Sequence, residues 1–346
     1  MPDYPIADRL KRLPPYLFAQ LDKLKKEALS KGTDVIDLGI GDPDKPTPKH
    51  IISRLATAAQ NPKHHRYPSY VGLQSFREAV SEWYGARFEI SLDPETEVLS
   101  LIGSKEGIGH IPFAFVNPQD MVLVPDPGYP VYQNAVILAG GIPYTLPLLK
   151  GNGFLPDFAS IDPGILDQCK LLFLNYPNNP TSAVADRNFF QLVVHLAHQH
   201  HFIVCHDAAY SEIAYEGFRP MSILQIDGAK DVAIEFHSLS KTYNMTGWRI
   251  GFAVGNAQIL EGLGKIKTNL DSGIFEAIQL AGIAALTGPQ TEVLRMVSIY
   301  QERRDALCNG LEELGFQFDK PKATFYVWVE VPQGFNAASF SLLLLG

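Results

Sequence analysis

The 346-residue sequence has few cysteines, no long apolar run and no concentrated positive charge. Its three cysteines, Cys169, Cys205 and Cys308, lie far apart, so their number and spacing indicate neither a disulfide framework nor a metal site. No stretch reaches the roughly 18 uninterrupted apolar residues of a membrane span, and the charged first residues are not typical of a secretory signal. We therefore expect a cytoplasmic protein that does not insert into a membrane.

Charge and glycine spacing argue against two further classes of protein. The net charge is −8 without basic clusters, which argues against a nucleic-acid partner. Gly39 and Gly41 begin a pattern that resembles a dinucleotide fingerprint, but Asp44 stands where the third glycine would be needed. Four histidines crowd one helix end, where the helix dipole and water suit them without a metal: His195, His198, His200 and His201. We predict no metal site.

Apolar runs typical of buried strands alternate with helical patterns along the chain. The runs are 98–102, 121–124, 171–174, 202–205, 232–236 and 250–254. This alternation predicts a mainly parallel, buried sheet flanked by helices. We predict a large domain over residues 49–289, with residues 1–48 forming an arm and part of a smaller domain that residues 290–346 complete.

The segment around Lys241 is the most informative one. Lys241 follows a strand-like run, with Ser238 and Ser240 before it and Arg249 eight residues after it. A lysine amine joins an aldehyde only after losing its proton, so its pKa must fall from the free value of roughly 10.4. A phosphate is best bound by a guanidinium together with hydroxyl donors. The segment therefore suits an aldehyde cofactor that carries a phosphate, although a basic surface loop is the simpler alternative.

Two polar segments follow predicted strands. Asn179 comes after the run 171–174, at the end of a strand where open α/β sheets bind ligands. Asp207 follows the next run, and its carboxylate could pair with a protonated ring nitrogen, with Tyr210 three residues on. Taken alone, the first segment is equally typical of a turn and the aspartate of a helix cap.

A third strand leads into a helix through Ser104 and Lys105. Backbone N–H groups at such a helix start bind phosphate, although a serine cap with Glu106 in the first turn would look the same. Downstream, Tyr129 stands where an aromatic side chain could stack on a cofactor ring. A core tyrosine is the alternative.

Together and in this order, the segments resemble the class I/II aminotransferases of the aspartate aminotransferase fold, which use pyridoxal 5'-phosphate. The resemblance implies an α/β fold with a mainly parallel, helix-flanked sheet in the large domain and a smaller, here incomplete, α/β domain. It also implies a role for each matched residue: Ser104, Lys105, Ser238 and Arg249 for phosphate, Tyr129 for stacking, Asn179 and Tyr210 for the ring oxygen, Asp207 for the ring nitrogen and Lys241 for the covalent link. Lys241, Asp207 and Tyr210 would be the catalytic residues.

Segments 9–18, 35–44 and 267–273 resemble the bacterial LL-diaminopimelate aminotransferase branch of the family. This implies transfer of an amino group from LL-2,6-diaminopimelate to 2-oxoglutarate, in lysine biosynthesis. In the family, the backbone at Gly41 and a side chain such as Asn179 hold the substrate carboxylate. Tyr67 matches a tyrosine that reaches the neighbouring subunit's phosphate, which implies a homodimer with shared active sites.

The sequence departs from the family pattern in two ways. Ser182 and Ala208 replace the usual residues at positions that perform no chemistry. The family also continues past the strand 323–328 to an arginine that grips the substrate carboxylate, whereas this sequence ends in the apolar stretch 337–346. We therefore expect a truncated carboxyl-terminal domain. An aminotransferase for another amino acid, a pyridoxal phosphate lyase and a cofactor-binding protein with little turnover stay open as alternatives.

Overall fold

The computed structural model describes residues 4–14, 17–39 and 41–344, without the side chains of residues 17–23. Three residues of the branch-specific segments, Pro15, Tyr16 and Ile40, lie outside the described residues. So do Leu345 and Gly346 of the apolar tail.

A seven-stranded sheet forms the centre of the molecule. The strands are β1 (Val98–Leu101), β2 (Met121–Asp126), β3 (Ile142–Pro147), β4 (Cys169–Asn175), β5 (Ile203–Asp207), β6 (Ala233–Ser238) and β7 (Gly251–Gly255). Their order is β1-β7-β6-β5-β4-β2-β3. All neighbouring pairs are parallel except that β7 runs antiparallel to both β1 and β6. The amino end of β7 therefore lies at the same edge as the carboxyl ends of the other strands.

Helices connect the strands and cover the sheet. They are α1 (Asp8–Lys11), α2 (Leu17–Ser30), α3 (Lys49–Ala59), α4 (Gln74–Phe88), α5 (Ser104–Phe115), α6 (Val131–Ala139), α7 (Pro163–Leu166), α8 (Arg187–His200), α9 (Ala229–Val232), α10 (Leu239–Thr242), α11 (Ala257–Leu270), α12 (Glu276–Thr287), α13 (Thr291–Glu313) and α14 (Ala337–Leu344). Within the described ranges, none of the helices is long and apolar enough to cross a membrane.

Both faces of the sheet are buried, as the alternation along β4 shows. Leu172 and Leu174 pack into one apolar cluster, whereas Leu171 and Phe173 pack into another on the opposite face. Successive side chains of a strand point to opposite faces, so a strand that is apolar throughout needs helices on both sides. The prediction of an α/β fold with a mainly parallel sheet flanked by helices is confirmed.

Two features of the sheet were not predicted. β3 was missed because it contains Pro143 and Pro147 and leaves much of its surface exposed, both of which are tolerated at a sheet edge. The reversed direction of β7 was missed because an apolar run carries no information on direction.

The predicted strand over residues 323–328 is wrong. Within the described part of the chain, only an isolated bridge joins Ala323 to Ala214. The following backbone instead bonds outside any ladder: Thr324 N donates to the carbonyl of Ile213 at 2.8 Å, and the Ser182 hydroxyl donates to the carbonyl of Tyr326 at 2.5 Å. Loops and side chains satisfy these groups in place of a neighbouring strand. The division into domains stays a prediction.

Candidate active site

A cavity of about 270 Å³ opens at the edge of the sheet where the parallel strands end. Its volume is close to the lower end of the roughly 300–1,000 Å³ typical of small-molecule sites. Ten residues predicted from the sequence line it: Gly41, Ser104, Lys105, Tyr129, Asn179, Asp207, Tyr210, Ser238, Lys241 and Arg249. The sheet thus brings together side chains from five strand ends and from the amino-terminal segment.

One end of the cavity suits an anion. Helix α5 begins at Ser104, directly after Gly103, whose φ of +77° favours glycine. A Cβ on Gly103 would lie 2.4 Å from Nη2 of Arg249, so the missing side chain lets the guanidinium lie beside the start of α5. Arg249 Nη1 donates to the carbonyl of Thr246 at 3.0 Å, which fixes its orientation. The helix start and the guanidinium together favour a phosphate group.

Two serines flank the same end. The hydroxyl of Ser238 accepts a hydrogen bond from the backbone N–H of Ser240 at 3.2 Å. The hydroxyl of Ser240 is buried and has no hydrogen-bond partner among the described residues. Since an unsatisfied buried hydroxyl is costly, this atom indicates that a ligand oxygen belongs beside it.

Lys241 projects from α10 into the centre of the cavity. Its Nζ donates to the carbonyl of Gly41 at 2.9 Å. Burial lowers the pKa of Lys241 below its ordinary value, and Arg249 adds to the shift, whereas the charges of Asp42 and Asp207 oppose it. A lysine with a lowered pKa is a free amine, able to act as a nucleophile or to accept a proton, at a lower pH than an ordinary lysine.

Asp207 lies at the end of β5 and is 6 % exposed. One carboxylate oxygen accepts from the hydroxyl of Tyr132 at 2.8 Å, and the other accepts from the N–H of Ala209 at 3.2 Å. Burial raises the pKa of Asp207, and the hydrogen bond from Tyr132 opposes the rise. The buried carboxylate can therefore accept a further bond from a cationic ligand group.

Tyr132, in the first turn of α6, was not predicted from the sequence. Its ring stacks on that of Phe173, with centroids 5.2 Å apart, and meets the ring of Tyr129 edge to face. Burial raises the pKa of Tyr132, so its hydroxyl stays protonated and donates to Asp207. The sequence feature that could have revealed it is its position three residues after Tyr129.

Tyr326 was also missed. Its hydroxyl forms a 2.8 Å hydrogen bond with the hydroxyl of Tyr210. A Cβ on Gly41 would lie 2.3 Å from that hydroxyl of Tyr326, so the side chain lies directly against the Gly41 backbone. Burial raises the pKa of Tyr210, which keeps its hydroxyl a donor. The sequence feature that could have revealed Tyr326 is its position within the family segment 323–328.

Asn175 ties two predicted residues together. Its side-chain amide donates to the carbonyl of Asp207 at 2.8 Å, while its oxygen accepts from the N–H of Asn179 at 2.7 Å. Because one side chain bridges β5 and the loop after β4, the positions of Asp207 and Asn179 are coupled.

Tyr67 is the one predicted site residue that does not line this cavity, and it is 89 % exposed. Its predicted role concerns a neighbouring subunit, so a position on the surface of the single chain does not contradict that role.

Ser182, noted above as a departure from the family, has a φ of +62° and holds the backbone next to the site through its bond to Tyr326.

Two other features of the described residues resemble binding sites: a cluster of possible metal ligands and a second cavity. Glu106, His110 and Asp271 have ligand atoms within 4.8 Å of one another, as a metal site would require. However, Nζ of Lys267 lies 3.2 Å from Glu106 and 2.9 Å from Asp271, so an ammonium group already balances these carboxylates. A larger cavity of about 1020 Å³ between α4 and α13 contains none of the predicted residues.

Comparison with known proteins shows the family of the chain. The family model for class I and II aminotransferases matches residues 33–344, and the chain belongs to this family. The chain is 57% identical over 339 residues to the LL-diaminopimelate aminotransferase of Syntrophobacter fumaroxidans, which covers 98% of this chain and 87% of the relative. It is 56% identical to the protein of the same name from Moorella thermoacetica, with the same coverage.

Solved structures also resemble the chain. Substrate-bound BacF from Bacillus subtilis matches with a TM-score of 0.92 and 40% identity, covering 99% of this chain and 87% of that one. The fold and family predicted from the motifs are therefore confirmed, and the chain is an aminotransferase.

Proposed function

We propose that this chain binds pyridoxal 5'-phosphate and transfers an amino group from LL-2,6-diaminopimelate to 2-oxoglutarate. The observation that carries the proposal is a lysine with a lowered pKa, Lys241, in a cavity that also holds the buried carboxylate of Asp207. The names of relatives at 57% and 56% identity support the choice of substrate.

The residues present fit this cofactor. The start of α5, Arg249 and Ser238 would hold the phosphate, and the unpaired hydroxyl of Ser240 would donate to it. Asp207 would accept a hydrogen bond from the ring nitrogen. When bound, the cofactor supplies an aldehyde that captures amines and a ring that withdraws electrons from the adjacent carbon.

The side chains of this protein would then bind the substrate and transfer protons. Lys241 would take the proton from the substrate Cα and deliver it to the carbon of the cofactor's aldehyde group. Tyr210 and Asn179 would donate to the ring oxygen, and Tyr129 would cover the ring face. The backbone at Gly41, together with Asn179, would hold the substrate carboxylate.

Borohydride trapping tests the covalent link. The purified protein incubated with pyridoxal 5'-phosphate should absorb in the near-visible range and retain the cofactor after reduction. Lys241→Ala should abolish the trapped cofactor, whereas the control Lys265→Ala, which changes an exposed lysine of α11, should not. Trapping that survives in Lys241→Ala would place the link elsewhere.

Amino-donor assays test the substrate. LL-2,6-diaminopimelate should be the best donor among a panel that includes aspartate, alanine and aromatic amino acids, with 2-oxoglutarate as acceptor. A different preferred donor would overturn the substrate while leaving the cofactor in place. Cofactor binding without transfer from any donor would favour the alternative of a protein with little turnover.

Asp207→Ala tests the role of the buried carboxylate. We expect the rate of amino transfer to fall by roughly 10²-fold or more, at about 1.4 kcal/mol per factor of ten, because the ring nitrogen would lose its partner. Some cofactor should still bind, because the residues that would hold its phosphate are unchanged. Single-turnover kinetics on both forms measure the loss, and a near-normal rate in Asp207→Ala would contradict the assignment.

We also propose that a second copy of the chain completes the site. Tyr67, Tyr70 and Leu270 are exposed apolar side chains, at 89%, 46% and 62%. Their two segments adjoin, since a Cβ on Gly273 would lie 2.8 Å from the carbonyl of Ser69. Such a surface suits a partner copy whose phosphate group Tyr67 would reach.

Mixing two impaired variants tests this shared site. Tyr67→Ala should weaken cofactor binding, and Lys241→Ala should be inactive. A mixed dimer regains one intact site, with Lys241 from one subunit and Tyr67 from the other, so activity should rise on mixing. No gain in activity from a mixture shown to exchange subunits would contradict a shared site.

A further inference from the structure

A buried polar network lies within the sheet next to the cavity, centred on Glu235 of β6. Five hydrogen-bond donors meet its two carboxylate oxygens: the Tyr84 hydroxyl (2.5 Å), His237 Nε2 (2.7 Å), His206 Nδ1 (2.8 Å), Ile223 N (3.0 Å) and the Ser222 hydroxyl (3.1 Å). A carboxylate offers about four lone-pair sites, so these donors leave no room for a proton on Glu235. Burial alone would raise the pKa of Glu235, but the bonds from His206 and His237 outweigh it and hold that pKa far below its ordinary value.

The ring of His206 has an acceptor at each nitrogen. Nδ1 faces the ionised Glu235, and Nε2 lies 3.0 Å from the backbone carbonyl of Tyr176. A carbonyl oxygen and a carboxylate only accept, so both ring nitrogens must carry hydrogens. The two hydrogen bonds of His206 can form together only if the ring is an imidazolium ion, and the ring is 0 % exposed. The charge of Glu235 offsets the cost of burying this cation.

The surroundings of His206 keep water away, and they include the carboxylate of Glu235. The ring of Phe190 in α8 packs against it edge to face, with centroids 5.1 Å apart. From β6 it meets Glu235 and, across that carboxylate, His237, while α4 contributes the Tyr84 hydroxyl. These are the titratable groups that face it, whereas Asp207, the next residue on β5, points to the opposite face of the sheet.

The position of His206 connects it with the site. It precedes Asp207 on β5, and alternate side chains point to opposite faces of a sheet, so His206 lies on the face away from the cavity. Its bond to the carbonyl of Tyr176 holds the start of the loop that leads to Asn179. Asn175 holds the same loop from the other end through Asp207 and Asn179. The loop is thus attached to β5 at two points.

We propose that His206, held as an imidazolium by Glu235, is a positioning residue for amino transfer, because it fixes the Asn179 loop relative to Asp207 and places a positive charge beside that carboxylate. This inference rests on the proposed function for its kinetic part but not for the charge of His206. The charge of His206 also affects Asp207. Burial has the larger effect and raises the pKa of Asp207, whereas the positive ring of His206 lowers it.

Nitrogen NMR of protein labelled with ¹⁵N-histidine tests the charge without cofactor or turnover. Both ring nitrogens of His206 should report N–H groups in the folded protein, because each lies within hydrogen-bond distance of an acceptor. His206→Gln assigns the signals, and Glu235→Gln should convert the ring of His206 to a neutral form. A His206 ring that carries only one N–H group in the unchanged protein would overturn the proposal. This measurement on the unchanged protein stands even if a variant fails to fold.

Kinetics test the positioning role. In His206→Gln the side chain can still donate to Tyr176 but carries no charge, so kcat should fall roughly tenfold or more while KM for the amino donor changes little. The pH dependence of the bound cofactor's absorbance should shift as well. The control is His200→Gln, since His200 is a buried histidine that bonds Asp167 at 2.6 Å at the far end of α8. Equal losses in both variants would show a general effect on stability and overturn the positioning role.

Discussion

At the scale of single residues, the proposed role of Lys241 depends on its protonation. Burial disfavours its ammonium form, so the proton leaves at a pH below the ordinary 10.5. The rate at which cofactor-free protein captures pyridoxal 5'-phosphate should therefore rise with pH and level off below that value. Asp42→Asn removes a charge that raises the pKa of Lys241, so the profile should move to lower pH. Stopped-flow absorbance measures the profile. The exposed Glu261→Gln serves as control, and a move to higher pH in Asp42→Asn would contradict the assignment.

The hydroxyl pair of Tyr210 and Tyr326 allows a second test at this scale. Tyr326→Phe keeps the ring contact but removes the partner of Tyr210, so kcat/KM should fall several-fold, consistent with about 1 kcal/mol for one hydrogen bond. The control is Tyr300→Phe, because the hydroxyl of Tyr300 is buried without a partner among the described residues and should be dispensable. A double variant with Tyr210→Phe should lose little more than Tyr210→Phe alone if the two hydroxyls act together.

At the scale of elements, the start of α5 depends on one glycine. Gly103→Ala would place a Cβ 2.4 Å from Arg249 Nη2 in a backbone conformation that favours glycine. The guanidinium must move, so cofactor affinity should drop by at least tenfold and the protein should be less stable. The matched control is Gly109→Ala in the same helix, where nothing lies within 4 Å. It should be neutral or stabilise by up to about 1 kcal/mol. Cofactor titration and thermal melting compare the two, and equal affinities would contradict the expected crowding.

The same elements explain what the sequence could predict. Lys241 and Arg249 were predicted because a local segment holds them both, and Asp207 because it ends a recognisable apolar run. Tyr326 lies 116 residues from the Tyr210 it bonds, a contact that no local pattern specifies. The segment 323–328 was predicted as a strand from the family resemblance, but strand formation also needs a neighbouring strand, which a single segment cannot reveal. Six of the strands were anticipated, whereas the edge strand β3, with its prolines, was not.

At the scale of the whole molecule, a buried ionic cluster joins α11 to α5. Lys267 is fully buried between Glu106 and Asp271. Lys267→Met would leave two carboxylates facing each other without a cation, and loss of one partner of a buried pair typically costs about 3–5 kcal/mol. The control is Lys265→Met in the same helix, whose ion pair with Glu261 is exposed and should contribute little. Urea denaturation compares the free energies of unfolding, and equal values for the two variants would contradict a structural role of the cluster.

The reversed strand β7 has a consequence for how the site keeps its dimensions. Strands that run the same way need a crossover that carries the chain back to the opposite edge of the sheet, whereas β7 runs back beside β6 directly after residues 239–250. Lys241 and Arg249 therefore lie on one connection, and the strand ends on either side of it are paired, Ser238 with Gly251. The separation of these two side chains is thus set within one strand–loop–strand unit.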